Sequence, residues 1–236
     1  MKFKDALEDL SIRFLYFISE EDLKYTERLF FKIEEAFWHF IDFYSHKTPK
    51  LSEKVFAIRI IIYNNLPISN IPEKYKEYIK YKRNIPVFGA LILNKDLTHI
   101  LLVKGMQEGS KYSFPKGKRC FNETPQQCAI REVYEEIGYD ISTKITQYTC
   151  EIKNDTYKLF VIINVHNSTK FTTKTRNEIS DIKWFPINEI QFYDYKEEIS
   201  FVKTLIPKIK EIVNKIKENH FRFNLSKFHE IFNSLQ

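Results

Sequence analysis

The stretch GKRCFNETPQQCAIREVYEEIGY, from Gly117 to Tyr139, decides the fold of this 236-residue chain. Within it, Thr124 is a favourable N-cap, and Gln127 three residues later completes a capping box. A proline follows the N-cap directly, at the first helical position, where a missing N–H costs nothing. Gly138 stands where a left-handed C-cap belongs. The stretch therefore predicts a helix over Pro125–Ile137.

Three glutamates of this predicted helix share one face. Glu132, Glu135 and Glu136 stand at positions i, i+3 and i+4, and each close pair of like charges destabilises a helix by roughly 0.2–0.5 kcal/mol. Arg131 can pair with Glu135 but cannot satisfy all three carboxylates. Hard divalent cations take oxygen ligands of this kind together with substrate phosphates, so the spacing favours a metal site. A solvated acidic helix face is the alternative interpretation.

The complete spacing resembles the Nudix box, the signature of hydrolases that cleave nucleoside diphosphates linked to another group. The matching positions, separated by five, seven and one residues, are Gly117, Glu123, Arg131-Glu132-Val133-Tyr134-Glu135-Glu136 and Gly138-Tyr139. The resemblance implies an α/β/α sandwich with Glu132 and Glu136 as the principal metal ligands and Glu135 beside them. It also implies structural roles for four positions: Gly117, Glu123 in the outer shell, Arg131 as an orienting partner, and Gly138.

The hydrophobic pattern divides the chain into three parts and predicts an α+β protein. Residues 1–83 are predicted to form an all-α N-terminal domain. Residues 85–194 are predicted to form the Nudix sandwich that carries the chemistry. Residues 195–236 are predicted to form a basic helical extension.

Local signals place the elements within these parts. A capping signature at Ser19 predicts one helix that runs on to Tyr44, and a cap at Ser52 predicts another that ends near Ile62. A shorter helix is predicted from Tyr75 to Tyr81. Runs of β-branched residues and leucine predict strands over residues 86–93, 99–103, 148–152, 159–165 and 182–185.

Composition limits the compartment and the class of partner. The formal charge of +6 and a pI near 9.0 favour an anionic partner. Three cysteines without CxxC spacing indicate a reducing intracellular compartment. The N-terminal MKFKDALEDL carries acidic residues where a signal peptide needs an apolar stretch, and the longest apolar run is too short to span a bilayer. We therefore expect a cytosolic or nuclear protein with no membrane partner.

Three flanking stretches narrow the resemblance to the catalytic-subunit family of mRNA-decapping enzymes. They are YSFPKGK before the box, RNEISDIKWF after it and EEAFWHFIDF near the N-terminus, and the resemblance runs from about Leu7 to about Lys217. It implies Mg²⁺- or Mn²⁺-dependent hydrolysis of the 5′ cap of mRNA, which releases 7-methylguanosine diphosphate and 5′-monophosphate RNA. It further implies a regulatory and cap-binding role for the N-terminal domain, with a small activator subunit on it, and a cytoplasmic location in mRNA-decay granules.

The same resemblance carries roles to four further residues. Glu178 matches an additional acidic residue that binds metal or acts as general base, although a plain loop charge is the alternative. Lys116 would neutralise phosphates. Trp38 and Asp42 match a cap-recognition pair, in which the indole stacks on a methylated guanine and the acid accepts its N–H donors. Because the pair lies only one position round from the core stripe, an extension of the core is the alternative for the tryptophan.

The C-terminal extension carries most of the net charge. Between residues 201 and 227, seven basic residues stand against two acidic ones, a net charge of +5. The corresponding helix of the decapping family binds RNA, which implies that role for Lys203, Lys208, Lys210, Lys215 and Lys217. A solvated helix face is the alternative.

The chain departs from the decapping family at three places. A tryptophan and an arginine of the family are replaced by Tyr112 and Phe88. The aromatic residue that opposes the N-terminal tryptophan has no clear counterpart, and Tyr195, Ile199 and Phe201 are near its place.

Two rival functions remain open. One is a Nudix hydrolase of free nucleotides or diphosphoinositol phosphates, and the other is a catalytically weak RNA-binding scaffold. Small substrates need neither an N-terminal helical domain nor a basic helix, which argues against the first rival. A binding module has no need of three adjacent carboxylates, which argues against the second.

Overall fold

The computed structural model describes residues 3–44, 46, 48, 50–153, 156–190, 192 and 198–234, without the side chains of residues 153, 220–229, 231 and 232. The chain divides into two compact units, Met1–Ile85 and Pro86–Gln236. Over the described ranges, no helix combines the length and the apolar composition needed to cross a membrane.

The first unit is helical. Its elements are α1 (Phe3–Leu10), continued by a π-helical turn (Ser11–Leu15), α2 (Glu20–Lys24), α3 (Thr26–Phe43), α4 (Glu53–Tyr63) and α5 (Ile71–Asn84). Both predicted serine caps are confirmed, because the hydroxyl of Ser19 accepts from the backbone of Asp22 at 3.0 Å and that of Ser52 from the backbone of Val55 at 3.4 Å.

Two predicted helix boundaries in this unit are wrong. The single helix from Ser19 to Tyr44 is interrupted at Tyr25, whose extended backbone (φ −107°, ψ 102°) separates α2 from α3. The helix predicted from Tyr75 to Tyr81 extends further in both directions, as α5. A proline lies in the first turn of α5, where its missing N–H is tolerated, and this start signal was available in the sequence.

An aromatic core holds the first unit together. Tyr78 of α5 is 1% exposed, and its ring stacks on Phe30 of α3 at 5.2 Å between centroids. Phe40 and Phe56 join α3 to α4 at 5.2 Å. The exposed residues of α3 are Glu35, Trp38 and Phe43.

The second unit is built on a mixed sheet. Its elements are β1 (Val87–Asn94), β2 (His99–Gly105), β3 (Tyr112–Ser113), β4 (Lys116–Lys118), α6 (Pro125–Ile137), β5 (Ile145–Lys153), β6 (Tyr157–Val165), β7 (Ile179–Pro186) and α7 (Ser200–Asn233). The strand order is β3–β2–β1–β6–β5, with β4 also paired to β1 and β7 also paired to β2. Strands β1 and β6 are parallel. Strands β3 and β4 were not predicted, because two or three residues are too few to show alternation.

Alternate side chains of the central strand point to opposite faces of the sheet. On one face, Ala90 and Ile92 pack in the same core as Val133 and Ile137 of α6. On the other face, the intervening leucines pack against the apolar stripe of α7. Two helical layers therefore enclose the sheet, which confirms the predicted α+β class and the α/β/α sandwich.

The C-terminal helix is part of this second unit. Its buried residues recur every three or four positions and complete the core on one side of the sheet: Val202, Leu205, Ile206, Ile209, Ile212, Val213 and Ile216. The segment predicted as a separate extension, residues 195–236, thus includes a core helix. Of the three residues named there as near the place of the opposing aromatic, Tyr195 lies outside the described residues.

Candidate active site

Helix α6 is capped at both ends as predicted. The Thr124 hydroxyl accepts a hydrogen bond from the backbone N–H of Gln127 at 3.2 Å, and the Gln127 side chain accepts one from the backbone N–H of Thr124 at 2.9 Å. Gly138 ends the helix in the left-handed region, with φ of 67°. These caps fix where the helix begins, and so which of its faces meets the sheet.

This register turns two of the glutamates inward. Glu132 is 8% exposed and Glu136 is 7% exposed, whereas Glu135 is only partly buried. Burial raises the pKa of Glu132 to about 7, against the opposing effect of Arg131. Burial likewise raises the pKa of Glu136, although the charge and backbone N–H of Lys116 oppose the shift. Both groups are therefore poised to gain from a nearby cation.

Arg131 donates hydrogen bonds to three carboxylates of the site. Its guanidinium donates to both carboxylate oxygens of Glu123, at 2.8 and 3.1 Å. One further nitrogen donates to Glu132 at 2.7 Å and to Glu135 at 3.0 Å. The predicted pairing with Glu135 is confirmed. None of the hydrogen bonds described for this arginine goes to Glu136, which leaves the most buried carboxylate to other partners.

Strand β4 passes so close to α6 that a side chain at residue 117 would displace the Glu132 carboxylate. A Cβ added to Gly117 would overlap the carboxylate of Glu132. The preceding residue, Lys116, donates its backbone N–H to Glu136 Oε2 at 3.0 Å. Strand β4 therefore leaves space for the Glu132 carboxylate at Gly117 and donates the Lys116 backbone N–H to Glu136.

Gly89 in β1 is a site residue that the sequence reasoning missed. A Cβ added there would overlap the Pro115 carbonyl and Lys116, so its absence lets β4 lie against β1. An isolated glycine inside a strand is a known sign of close backbone approach, and this signal was available. The glycine thus helps to place the Lys116 N–H that reaches the cluster.

The segment before β7 brings Glu178 to the same cluster. Glu178 is exposed, and its charge contributes to raising the pKa of both Glu132 and Glu136. The loop that precedes it docks on the end of α6, where the backbone N–H groups of Thr172 and Lys174 donate to the carbonyls of residues 137 and 135 at 3.0 and 2.8 Å. These loop contacts were not predicted, because backbone donors leave no residue signature.

The cluster suits a hard divalent cation by the chemistry of its donors. Its carboxylates are oxygen ligands, and a cation would favour their charged forms where burial disfavours them. Within the part of the chain that the structure describes, no three His, Cys, Asp or Glu side chains already surround a common ion position. The residues therefore fit a metal ion in donor type, and the ligand roles of Glu132, Glu136 and Glu178 remain predictions.

The predicted cap-recognition pair lies in the first unit, on α3. Trp38 is 47% exposed, which is inconsistent with a side chain that merely extends the core. Asp42, one turn further along, is partly buried. The pair is therefore accessible to a ligand at the indole ring, and its role in recognition remains a prediction.

The two substitutions relative to the decapping family have local explanations. Phe88 is 3% exposed and packs with Cys128, Ala129 and Phe160, so its position is an apolar one in this chain. The Tyr112 hydroxyl donates to Asp181, which gives the smaller aromatic residue a polar anchor.

The five predicted RNA-binding lysines lie off the buried stripe of α7. Three are exposed, namely Lys208, Lys215 and Lys217, while Lys203 and Lys210 are partly buried. Lys215 pairs with Glu211 at 2.7 Å, and Lys208 donates to the carbonyl of Glu151. A solvated helix face would have the same geometry, so the RNA role remains a prediction.

We expect Glu136→Gln to stabilise the metal-free protein at alkaline pH. The folded-state pKa of Glu136 lies above its ordinary value of 4.5, at about 8, so wild-type stability falls as the pH rises through this range. The neutral amide escapes that loss, and the gain in unfolding free energy should grow from near zero at pH 4.5 to about 4 kcal/mol at pH 8.

Urea unfolding in EDTA measures this gain. In a Trp38→Phe background, Trp184 is the single tryptophan left and reports on the second unit. Glu189→Gln, which neutralises an exposed carboxylate of the same unit, is the matched control and should show no such pH-dependent gain. Equal stability of wild type and Glu136→Gln at pH 8 would contradict the buried-charge interpretation.

Comparison with known proteins places this site in a family. The NUDIX domain model matches residues 83–205, and the model described as "Dcp2, box A domain" matches residues 5–83. Curated relatives include the mRNA-decapping enzyme subunit 2 of Saccharomyces cerevisiae, which is 38% identical over 204 residues, or 83% of this chain and 21% of the relative. The mRNA decapping complex subunit 2 of Schizosaccharomyces pombe is 35% identical, over 80% of this chain and 27% of the relative.

A plant relative covers more of its own length. The mRNA-decapping enzyme subunit 2 of Arabidopsis thaliana is 34% identical over 80% of this chain and 52% of the relative. The chain thus spans between about a fifth and a half of the length of these relatives. The NUDIX match covers more than half of the chain and includes the whole glutamate cluster. The chain belongs to the Nudix family.

Proposed function

We propose that this chain hydrolyses the 5′ cap of mRNA and releases 7-methylguanosine diphosphate and 5′-monophosphate RNA. The observation that carries the proposal is the buried pair Glu132 and Glu136 on α6, in a chain that joins a box A region to a NUDIX domain. Curated relatives that align with four-fifths of the chain are named for mRNA decapping, which supports this substrate over other pyrophosphates.

In this proposal, Mg²⁺ or Mn²⁺ is held by Glu132, Glu136 and Glu178. When bound, such a cation would polarise a phosphoryl oxygen and lower the pKa of water. Arg131 keeps Glu132 and Glu135 in place through its hydrogen bonds. The buried position of the two inner carboxylates limits competition from solvent at the point of cleavage.

Glu178 and Lys116 are proposed to act on the substrate side of the cluster. Glu178 is exposed and close enough to influence both inner glutamates, so it can accept a proton from the attacking water. The ammonium of Lys116 would neutralise phosphate charge, while its backbone N–H stays on Glu136. Glu135, which also accepts a hydrogen bond from Arg131, is a further acidic group at the site.

Trp38 and Asp42 are proposed to recognise the cap itself. An exposed indole stacks well on the cationic ring of 7-methylguanine, and a carboxylate accepts the N–H donors of its base edge. A small activator subunit on the N-terminal unit, and a cytoplasmic location in mRNA-decay granules, complete the proposal.

Lysines of α7 are proposed to bind the RNA backbone. We therefore expect their substitution to change the salt dependence of RNA binding. In Lys215→Gln/Lys217→Gln, the slope of log affinity for capped RNA against log salt should decrease by about 0.7 for each phosphate that the variant no longer neutralises. Fluorescence anisotropy with labelled RNA measures the slope. Lys74→Gln/Lys76→Gln, which removes a partly buried and an exposed lysine from α5, is the matched control. An unchanged slope in the α7 variant would favour a merely solvated helix face.

A substrate panel tests the proposed function against its nearest rival. The catalytic efficiency for capped RNA is compared with that for free nucleoside triphosphates, dinucleoside polyphosphates and a diphosphoinositol phosphate, with the metal ion held constant. Capped RNA should be hydrolysed most efficiently. A clear preference for any of the small substrates would replace the proposed function with a free-nucleotide or diphosphoinositol hydrolase.

A further inference from the structure

Glu34 on α3 is the shared acceptor of a small polar cluster. Its side chain is 12% exposed, and its carboxylate accepts from the Tyr78 hydroxyl and the Lys82 ammonium, both on α5. One of its oxygens also accepts from the indole N–H of Trp38, at 3.4 Å. A carboxylate that is nearly removed from water and engaged by three donors has few alternative orientations.

Apart from its hydrogen bond to Glu34, the Trp38 side chain has room to change its rotamer. Trp38 is 47% exposed, and its ring meets Phe37 in a tilted arrangement at 5.9 Å between centroids. A half-exposed side chain loses rotamer freedom when a ligand stacks on it, and this loss weakens binding. A hydrogen bond from a fixed acceptor removes part of that freedom before the ligand arrives.

We propose that Glu34 is a positioning residue for cap recognition, which holds the indole of Trp38 in the orientation that stacks on 7-methylguanine. This inference rests on the proposed function, because it assigns a purpose to the same recognition surface. Glu34 does not itself read the base, since its carboxylate is engaged by Tyr78 and Lys82. Its effect is therefore on affinity for the cap rather than on the hydrolytic step.

An NMR experiment tests the positioning directly. The full chain contains two tryptophans, so its indole N–H region holds two resonances, which Trp184→Phe assigns. In Glu34→Ala, the Trp38 resonance should move or broaden while that of Trp184 stays in place. Glu34→Gln keeps an acceptor oxygen and should largely restore the Trp38 resonance. Glu35→Ala, which removes the next glutamate on α3 and its pairing with Lys32, should change neither resonance.

The affinity for a cap analogue tests whether the orientation of the Trp38 indole matters for recognition. Glu34→Ala should weaken the affinity for 7-methylguanosine 5′-diphosphate by about threefold to tenfold, with Glu34→Gln closer to wild type and Glu35→Ala equal to it. Unmethylated guanosine diphosphate is the ligand control. Glu34→Ala leaves the buried Tyr78 hydroxyl without this acceptor, which could unfold the variant. The double variant Glu34→Ala/Tyr78→Phe removes that hydroxyl as well and repeats the test.

The outcomes separate this inference from the proposed function. An unmoved Trp38 resonance in both Glu34→Ala variants overturns the positioning role, whatever the ligand does. If the Trp38 resonance moves in Glu34→Ala but the affinity for 7-methylguanosine 5′-diphosphate stays at the wild-type value, the link to recognition is overturned. If wild type itself does not bind the methylated nucleotide, cap recognition by this unit fails, and the inference fails with it.

Discussion

Glu136→Gln should lower the single-turnover rate of cap hydrolysis by about a thousandfold or more, while affinity for capped RNA changes little. Glu136 is the more buried of the two inner glutamates and accepts a hydrogen bond from the Lys116 backbone. An amide keeps that hydrogen bond but loses the negative charge that a cation requires. Rapid-mixing kinetics with cap-labelled RNA, together with anisotropy for binding, measures both quantities.

This result also separates an enzyme from a scaffold. Glu189→Gln changes the net charge equally at an exposed position of the same unit, so it should react at the wild-type rate. If Glu136→Gln were as active as this control, the glutamate cluster would not be the catalytic centre. If neither wild type nor Glu136→Gln cleaved RNA that both bind, the scaffold interpretation would stand.

Gly117→Ala should lower cap hydrolysis by at least about a hundredfold without abolishing the fold. An added methyl group overlaps the Glu132 carboxylate, which must then leave its place beside Arg131. Catalysis tolerates only displacements of well under an ångström in its charged groups. The substitution should therefore lower both the rate constant and the metal affinity. Steady-state kinetics and Mn²⁺ titration followed by electron paramagnetic resonance measure the two effects.

Gly105→Ala is the matched control for this substitution. Its added Cβ would lie 3.0 Å from the Ser110 hydroxyl oxygen, a small side chain that can give way, so both rate and Mn²⁺ affinity should remain within about twofold of wild type. Full activity in Gly117→Ala would mean that Glu132 needs no fixed position. Loss of the cooperative unfolding transition would mean that the glycine serves the fold rather than the site.

Local signals were sufficient to predict helix α6 to the residue. Helix α6 carries its own start and stop, since the N-cap, the capping box and the left-handed glycine are all within one short stretch. The sandwich architecture was implied by the resemblance to the Nudix box rather than by periodicity, because β1 is buried along nearly its whole length and shows no polar–apolar alternation. The serine caps of the first unit were similarly local, as the contacts of Ser19 and Ser52 show.

The features that were not predicted from the sequence depend on contacts between distant segments. The break at Tyr25 is a backbone conformation with no residue signature of its own, and the docking of Thr172 and Lys174 on α6 uses main-chain donors. Gly89 had a recognisable signal, but only the fold shows that β4 is the strand it admits. The hydrogen bond between Glu34 and Trp38 was hidden because the partners that fix Glu34 come from α5, more than forty residues away.

The most direct test is product analysis with RNA labelled in the cap phosphates. Wild-type protein is incubated with Mg²⁺ or Mn²⁺, alone and with an activator subunit from a relative, and the labelled products are separated by thin-layer chromatography. We expect labelled 7-methylguanosine diphosphate, formed only when a divalent cation is present and abolished by EDTA. No labelled product under any of these conditions, or the same product with EDTA, would contradict metal-dependent decapping by this chain.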